Sequence, residues 1–246
     1  MPVLSVTHGP RDELLRNLDK LPKLSPMVVQ LLGIVAQPDC EVADLVKVVE
    51  KDAVLTAQVM QKANSAAFSR RQTIRTVQHA VALVGMGTMR RFALGSSMSN
   101  LFTRQKTARG FSTRRFNLHA TATATLAEFL ADALPVESKT TAFVAGLLHD
   151  IGELLIATTL PKAYETVLEL VAASGDGQIA CERRVLGTDH AELSAMAIAK
   201  WELDAAVEFA ARYHAEPEQA PDVRQVRLDR VPLTLMIHRA DLYVDS

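Results

Sequence analysis

His149 and Asp150 stand side by side after an apolar run, Phe143-Val144-Ala145-Gly146-Leu147-Leu148, and before Ile151-Gly152-Glu153. An imidazole and a carboxylate in apolar surroundings are costly unless they pair with each other or bind a metal. The stretch therefore reads as a metal or catalytic site, or as the remnant of one. Its helix is expected to break at the glycine. Seven histidines are present: His8, His79, His119, His149, His190, His214 and His238. A lone histidine on a helix is usually structural or exposed, and His8 and His79 fit that plain account. His119, His149-Asp150, His190, His214 and Asp241 lie instead on five helical segments of the C-terminal half. Metal sites in helical proteins draw one or two ligands from each of several helices. Mixed imidazole and carboxylate donors suit Fe, Mn, Zn or Ni and exclude a soft thiolate site. Spacing alone leaves open whether these side chains converge.

The segments that must position them are helical. Residues 11–19 form a short amphipathic helix, and Ser25-Pro26 reads as an N-cap followed by proline at the first helical position. Val42, Leu45, Val46 and Val49 recur at helical spacing. Asp52 and Thr76 are expected to cap the next two helices. Gly85-Met86-Gly87 should end the second of these, with Thr88 capping a sixth helix through about Leu101. From Phe116 a long helix carries His119. A further helix, starting near Ser138, carries His149 and Asp150. Helices follow at about 162–173 and 178–186. Asp189 with Glu192 resembles a capping box for a helix through Trp201, and Asp204 caps another through His214. Residues 215–229, with Pro217 and Pro221, read as a mobile loop, and a last helix spans about 231–244. No strand-like alternation of any length appears. The expected fold is all-α, with residues 1–102 as an N-terminal lobe packed on a C-terminal lobe of residues 116–246.

Residues 103–115 connect the lobes and carry Arg104, Lys106, Arg109, Arg114 and Arg115. Five positive charges could bind phosphate, although a solvated basic linker is the plainer account. The net charge of the whole chain is −1, which gives no bulk attraction to nucleic acid or anionic membranes. Cys40 and Cys181 are far apart and in no CxxC pattern, so two reduced thiols in a cytoplasmic protein are expected. No signal peptide is expected at Met1–Pro10 and no membrane-spanning helix elsewhere.

Longer motifs carry a resemblance. His119 … His149-Asp150 … Asp241 resembles the H…HD…D signature of the HD superfamily of metal-dependent phosphohydrolases. Leu21-Pro22-Lys23-Leu24-Ser25-Pro26, Asp52-Ala53-Val54-Leu55-Thr56 with Ala63-Asn64-Ser65-Ala66-Ala67-Phe68, Leu186-Gly187-Thr188-Asp189-His190 and Tyr213-His214-Ala215-Glu216-Pro217 resemble segments of the HDOD domain, the HD-related output domain of bacterial signalling proteins. The resemblance covers about residues 20–243. It implies an all-α, two-lobe signalling module, generally non-catalytic, that works through a protein partner or a nucleotide ligand. It also implies a two-metal site, with His119, His149, Asp150 and Asp241 on one ion and Asp150, His190 and His214 on the other. The chain departs from the cyclic-dinucleotide phosphodiesterase branch of the superfamily. Glu153 replaces a lysine after the HD-x-G motif, His214-Ala215 replaces a His-His pair, and no Gly-Tyr-Pro follows. A lysine would neutralise a phosphate, whereas Glu153 repels it by about 1 kcal/mol or more at short range. The first expectation is thus a regulatory module with no membrane role and no direct nucleic-acid binding. A metal-dependent phosphohydrolase and a nucleotide-gated sensor are the alternatives. Family members usually continue beyond Asp241, so the chain reads as a domain-sized fragment.

Overall fold

The computed structural model describes residues 9–19, 21, 23–37, 40–68, 73–100, 106–136, 139–223 and 230–246. His8, Pro22, Arg104 and Ser138, and the end of the loop expected at 215–229, lie outside them. Among the described residues the fold is all helical. Its one extended contact is an isolated parallel bridge between Val136 and Val231.

The chain divides into two compact units. One is residues 24–104, and the other combines residues up to 23 with 105–246. The first unit holds α2 (Pro26–Ala36), α3 (Val42–Val49), α4 (Ala53–Ala63), α5 (Val77–Val84) and α6 (Met86–Asn100). Three starts follow the sequence: Ser25, Asp52 and Thr76 accept from the amides of Val28, Leu55 and His79. Each cap satisfies a donor that the first helical turn leaves unpaired. Asn64 fastens the loop after α4 by donating to the Ile74 carbonyl at 3.0 Å and accepting from its amide at 2.8 Å. Leu31, Leu45, Val49, Leu55, Val59 and Leu94 are fully buried between these helices. The sixth helix begins at Met86 rather than at Thr88. A single residue, Gly85 at φ +92°, turns the chain in a conformation that disfavours other residues. The Met89 amide then bonds the Gly85 carbonyl at 3.1 Å, the first bond of the helix.

The second unit begins with α1 (Pro10–Asp19), whose Leu14 and Leu18 are buried. It continues with α7 (Thr113–Ala133), a 3-10 turn at Lys139–Thr141, α8 (Ala142–Leu148) and α9 (Ile151–Thr159). Then come α10 (Pro161–Ser174), α11 (Gln178–Leu186), α12 (His190–Lys200), α13 (Ala205–Tyr213), a 3-10 turn at Pro217–Gln219 and α14 (Leu233–Asp245). The long helix starts three residues before Phe116, because Ser112 accepts from the Arg115 amide. Arg114 and Arg115 therefore sit in the first turn of α7 and not in a linker. Every residue of α8 is buried, as a helix apolar on all sides requires.

The break expected at the glycine falls earlier. Asp150, at φ −104° and ψ 11°, separates α8 from α9, and Gly152 lies inside α9. The reason for glycine at 152 is proximity: a Cβ there would overlap the His190 carbonyl at the start of α12. Gly146 is required in the same way, since its Cβ would come within 2.6 Å of the Ala124 Cα on α7. The two glycines let α8 and α9 lie directly against backbones of α7 and α12. Residues 139–159 have the length and apolar composition of a membrane span, but 78% of that stretch's most apolar window is buried within the fold, as in a core helix.

Candidate metal centre

All six residues of the expected ligand set converge in the second unit. His119 comes from α7, His149 and Asp150 from the α8–α9 junction, His190 from the first position of α12, His214 from the end of α13 and Asp241 from α14. They form two groups sharing Asp150, and the candidate ligand atoms within each group lie within 4.8 Å of one another. In the first group, His119 Nε2 lies 2.9 Å from Asp241 Oδ1 and 3.5 Å from Asp150 Oδ2. His149 Nε2 lies 3.2 Å from each of Asp150 Oδ2 and Asp241 Oδ1. In the second, Asp150 Oδ1 lies 3.1 Å from His214 Nε2 and 3.5 Å from His190 Nε2.

The rings are fixed from behind. His149 Nδ1 donates to the Gly146 carbonyl and His214 Nδ1 to the Ala211 carbonyl, each at 2.8 Å. A carbonyl oxygen can only accept, so the Nδ1 atoms carry the protons and the Nε2 atoms of the neutral rings present lone pairs. His190 Nδ1 bonds Glu182 Oε2 at 2.8 Å, and His119 Nδ1 faces Asp245 Oδ1 at 3.2 Å. Four imidazoles thus aim Nε2 at the oxygens of two aspartates. Acceptors then face acceptors: His119 Nε2 and His149 Nε2 stand 3.3 Å apart, and the buried Asp150 Oδ1 makes no hydrogen bond. Protons or metal ions resolve such a confrontation. Braced imidazoles around a shared carboxylate are the donor set of a divalent-metal site with its outer partners in place. The residues fit two divalent ions.

Titration follows the same electrostatics. His119 is raised by its bond to Asp241, against the opposing effect of burial. Burial opposes charge on His149, but Asp150 outweighs it and holds the ring well above the ordinary histidine value. For His190 burial is again overcome, here by Glu182, and the value is pushed up to about 10. Burial would raise Asp150 and Asp241, yet the facing imidazoles hold both below the usual carboxylate range. Glu153 moves the other way, raised by burial and then by Asp150, although the Tyr164 hydroxyl donates to it at 2.6 Å.

The centre opens into a cavity of about 790 Å³, whose wall includes Phe111, Arg115, Phe116, Glu153, Tyr164 and His238. Structural metal sites are closed, whereas reactive ones keep an accessible position. Of the basic segment, Arg115 lines this cavity and Lys106, Arg109 and Arg114 do not. The Arg109 amide instead donates to Glu165. Sequence reasoning passed over Glu182, Tyr164 and Asp245. Glu182 carried no sequence signal, because its burial on α11 beside Cys181 is visible only in the fold.

Comparison with known proteins agrees with the all-helical fold. A solved HDOD domain protein of unknown function from Geobacter sulfurreducens is 26% identical and superposes with a TM-score of 0.78, covering 95% of this chain and 76% of its own. A Shewanella amazonensis SB2B protein assigned as a phosphohydrolase is 27% identical, with a TM-score of 0.72 over 95% of this chain and 80% of its own. The MmoQ response regulator of Methylococcus capsulatus is 26% identical, with a TM-score of 0.50 over 92% and 86%. An uncharacterized protein of Treponema pallidum (strain Nichols) is 23% identical over 83% of this chain, which spans only 39% of that protein's length. The HDOD domain family model matches residues 21–217. That match spans most of the chain, and with the all-helical fold it shows that the chain belongs to the HDOD domain family.

Proposed function

We propose that this chain is a regulatory module of bacterial signalling, of the HDOD output type, that holds two divalent ions and binds rather than hydrolyses its ligand. His119, His149, Asp150 and Asp241 hold one ion, and Asp150, His190 and His214 the other. Bound metal supplies positive charge and an open coordination position for an anionic group. The observation that carries the non-catalytic reading is Glu153. It lines the cavity three residues after Asp150, and Tyr164 holds it there. An acid in that place opposes charge build-up on a phosphate, the opposite of what a hydrolytic site needs. The MmoQ similarity supports a signalling setting, with a protein partner downstream.

Phosphoester hydrolysis is the second reading, and the open cavity with Arg115 on its wall favours it. Metal analysis of the purified protein, followed by assays on nucleotide monoesters and cyclic dinucleotides with Mn²⁺, Fe²⁺ or Ni²⁺, separates the two. The expected result is bound metal without turnover. Turnover that disappears in Asp150→Ala would establish the second reading instead. Because both groups share Asp150, that variant should lose both ions together.

A further inference from the structure

The two halves of the centre are unequally supplied with charge. The first group offers two carboxylates, Asp150 and Asp241, with two imidazoles. The second has two imidazoles and only the carboxylate it shares, Asp150. Behind that poorer half lies Glu182, whose side chain is 0% exposed. A carboxylate so fully removed from water needs strong compensation. Its Oε2 accepts from both the backbone amide and Nδ1 of His190, each at 2.8 Å. Its Oε1 accepts from Gln178 Nε2 at 2.9 Å. None of the other three ligand histidines is held this way. His149 and His214 lean on carbonyls, and the Asp245 that faces His119 is 68% exposed.

We propose that Glu182 is a positioning residue for the second ion: through His190 it supplies the negative charge that the Asp150, His190 and His214 group lacks. A carboxylate hydrogen-bonded to a ligating imidazole fixes the ring and raises its donor strength. The inference rests on the two-metal reading above. A purely structural account is also available, because the bond from the His190 amide makes Glu182 an auxiliary cap for α12, beside Asp189, which accepts from the Glu192 amide. The two accounts separate in whether the charge of Glu182 or only its acceptor oxygen matters to the second ion.

The test is titration of the metal-stripped full chain with Mn²⁺, followed by calorimetry and by the electron paramagnetic resonance signal of coupled ions. Glu182→Gln is the deciding variant. It keeps the volume and an oxygen that can serve both His190 donors, and it removes the charge. The wild type is expected to take two ions. Glu182→Gln should take the first with unchanged affinity and the second about 10-fold more weakly, with loss of the coupled signal at equimolar loading. Glu182→Leu, which also removes the acceptor, should weaken the second ion by up to about 100-fold. Unchanged binding of both ions in Glu182→Gln would overturn the proposal while leaving the two-metal reading intact. Equal weakening of both ions would also overturn it, since charge relayed through His190 reaches the second ion alone, and a second ion weakened in Glu182→Leu but not in Glu182→Gln would establish the structural cap instead. A wild type that takes up no Mn²⁺ would overturn the two-metal reading and this proposal together.

Discussion

Protons and metal ions would compete for the same Nε2 lone pairs, so the metal binding proposed for this centre should strengthen as pH rises. His119, His149 and His190 all hold protons to higher pH than free histidine, His190 to about 10. A metal entering near neutral pH must displace those protons, and each proton released makes affinity rise with pH. With ordinary imidazoles the rise would flatten above about pH 7. Here Mn²⁺ affinity should keep climbing between about pH 6 and 8.5, as calorimetry in buffers of different ionisation heat would record. A plateau at pH 7 would mean that the carboxylates do not hold protons on the rings. The six candidate ligands were singled out by residue type and by resemblance to a known signature, whereas spacing alone left open the convergence that the fold displays. Glu182 was not, because its partner His190 lies across the α11–α12 turn and no local pattern couples the two.

At the scale of helices, the centre depends on how closely α9 approaches α12. Gly152 permits that approach, and its amide donates to Ser194 Oγ at 2.8 Å, a bond wholly inside the protein. Gly152→Ala should destabilise the second unit by about 1–3 kcal/mol through overpacking, and part of that strain falls on His190, whose carbonyl it meets. Ser194→Ala leaves the same amide buried without a partner and should cost about 1–3 kcal/mol. Urea unfolding of both variants measures this, and values within error of wild type would contradict the packing account. The helix starts at Ser25, Asp52, Thr76, Asp189 and Asp204 were legible because cap and amide lie within three residues of each other. The role of Gly152 was not, since its cause lies on a helix some forty residues later. Local reasoning saw a helix breaker there, and tertiary contact made it a spacer. The box at Asp189 is half formed: Asp189 accepts from the Glu192 amide, but the Glu192 carboxylate accepts from the Thr188 hydroxyl.

Across the whole molecule, the six ligands fall in the unit containing residues 105–246 and none in residues 24–104. A ligand that binds only the native state stabilises it by RT ln(1 + [L]/Kd), about 2.7 kcal/mol at a hundredfold excess over Kd. Chelation should therefore speed hydrogen exchange at the slow amides of α7, α8, α9 and α12. Exchange in α2 to α6 should stay unchanged, as mass spectrometry of peptides would resolve. Equal acceleration in both units would contradict a centre confined to one of them. The first helix belongs with the unit that carries the His/Asp cluster, and its sequence hid this. The pattern of α1 announces an apolar face, Leu14 and Leu18, without naming the surface it covers. Arg11 with Glu192 and Asp19 with Lys200 mark that placement, although exposed pairs of this kind contribute little energy.

The sharing of Asp150 also bears on ancestry. Each imidazole keeps its own support at Nδ1, so the scaffold does not rest on that carboxylate, and both groups of ligands do. On the two-metal reading proposed above, a single substitution at 150 would therefore take a lineage from metal-dependent to metal-free, with core, caps and cavity preserved. Descendants on either side of that step would share a backbone and differ in chemistry, and the residue at 150 would sort them.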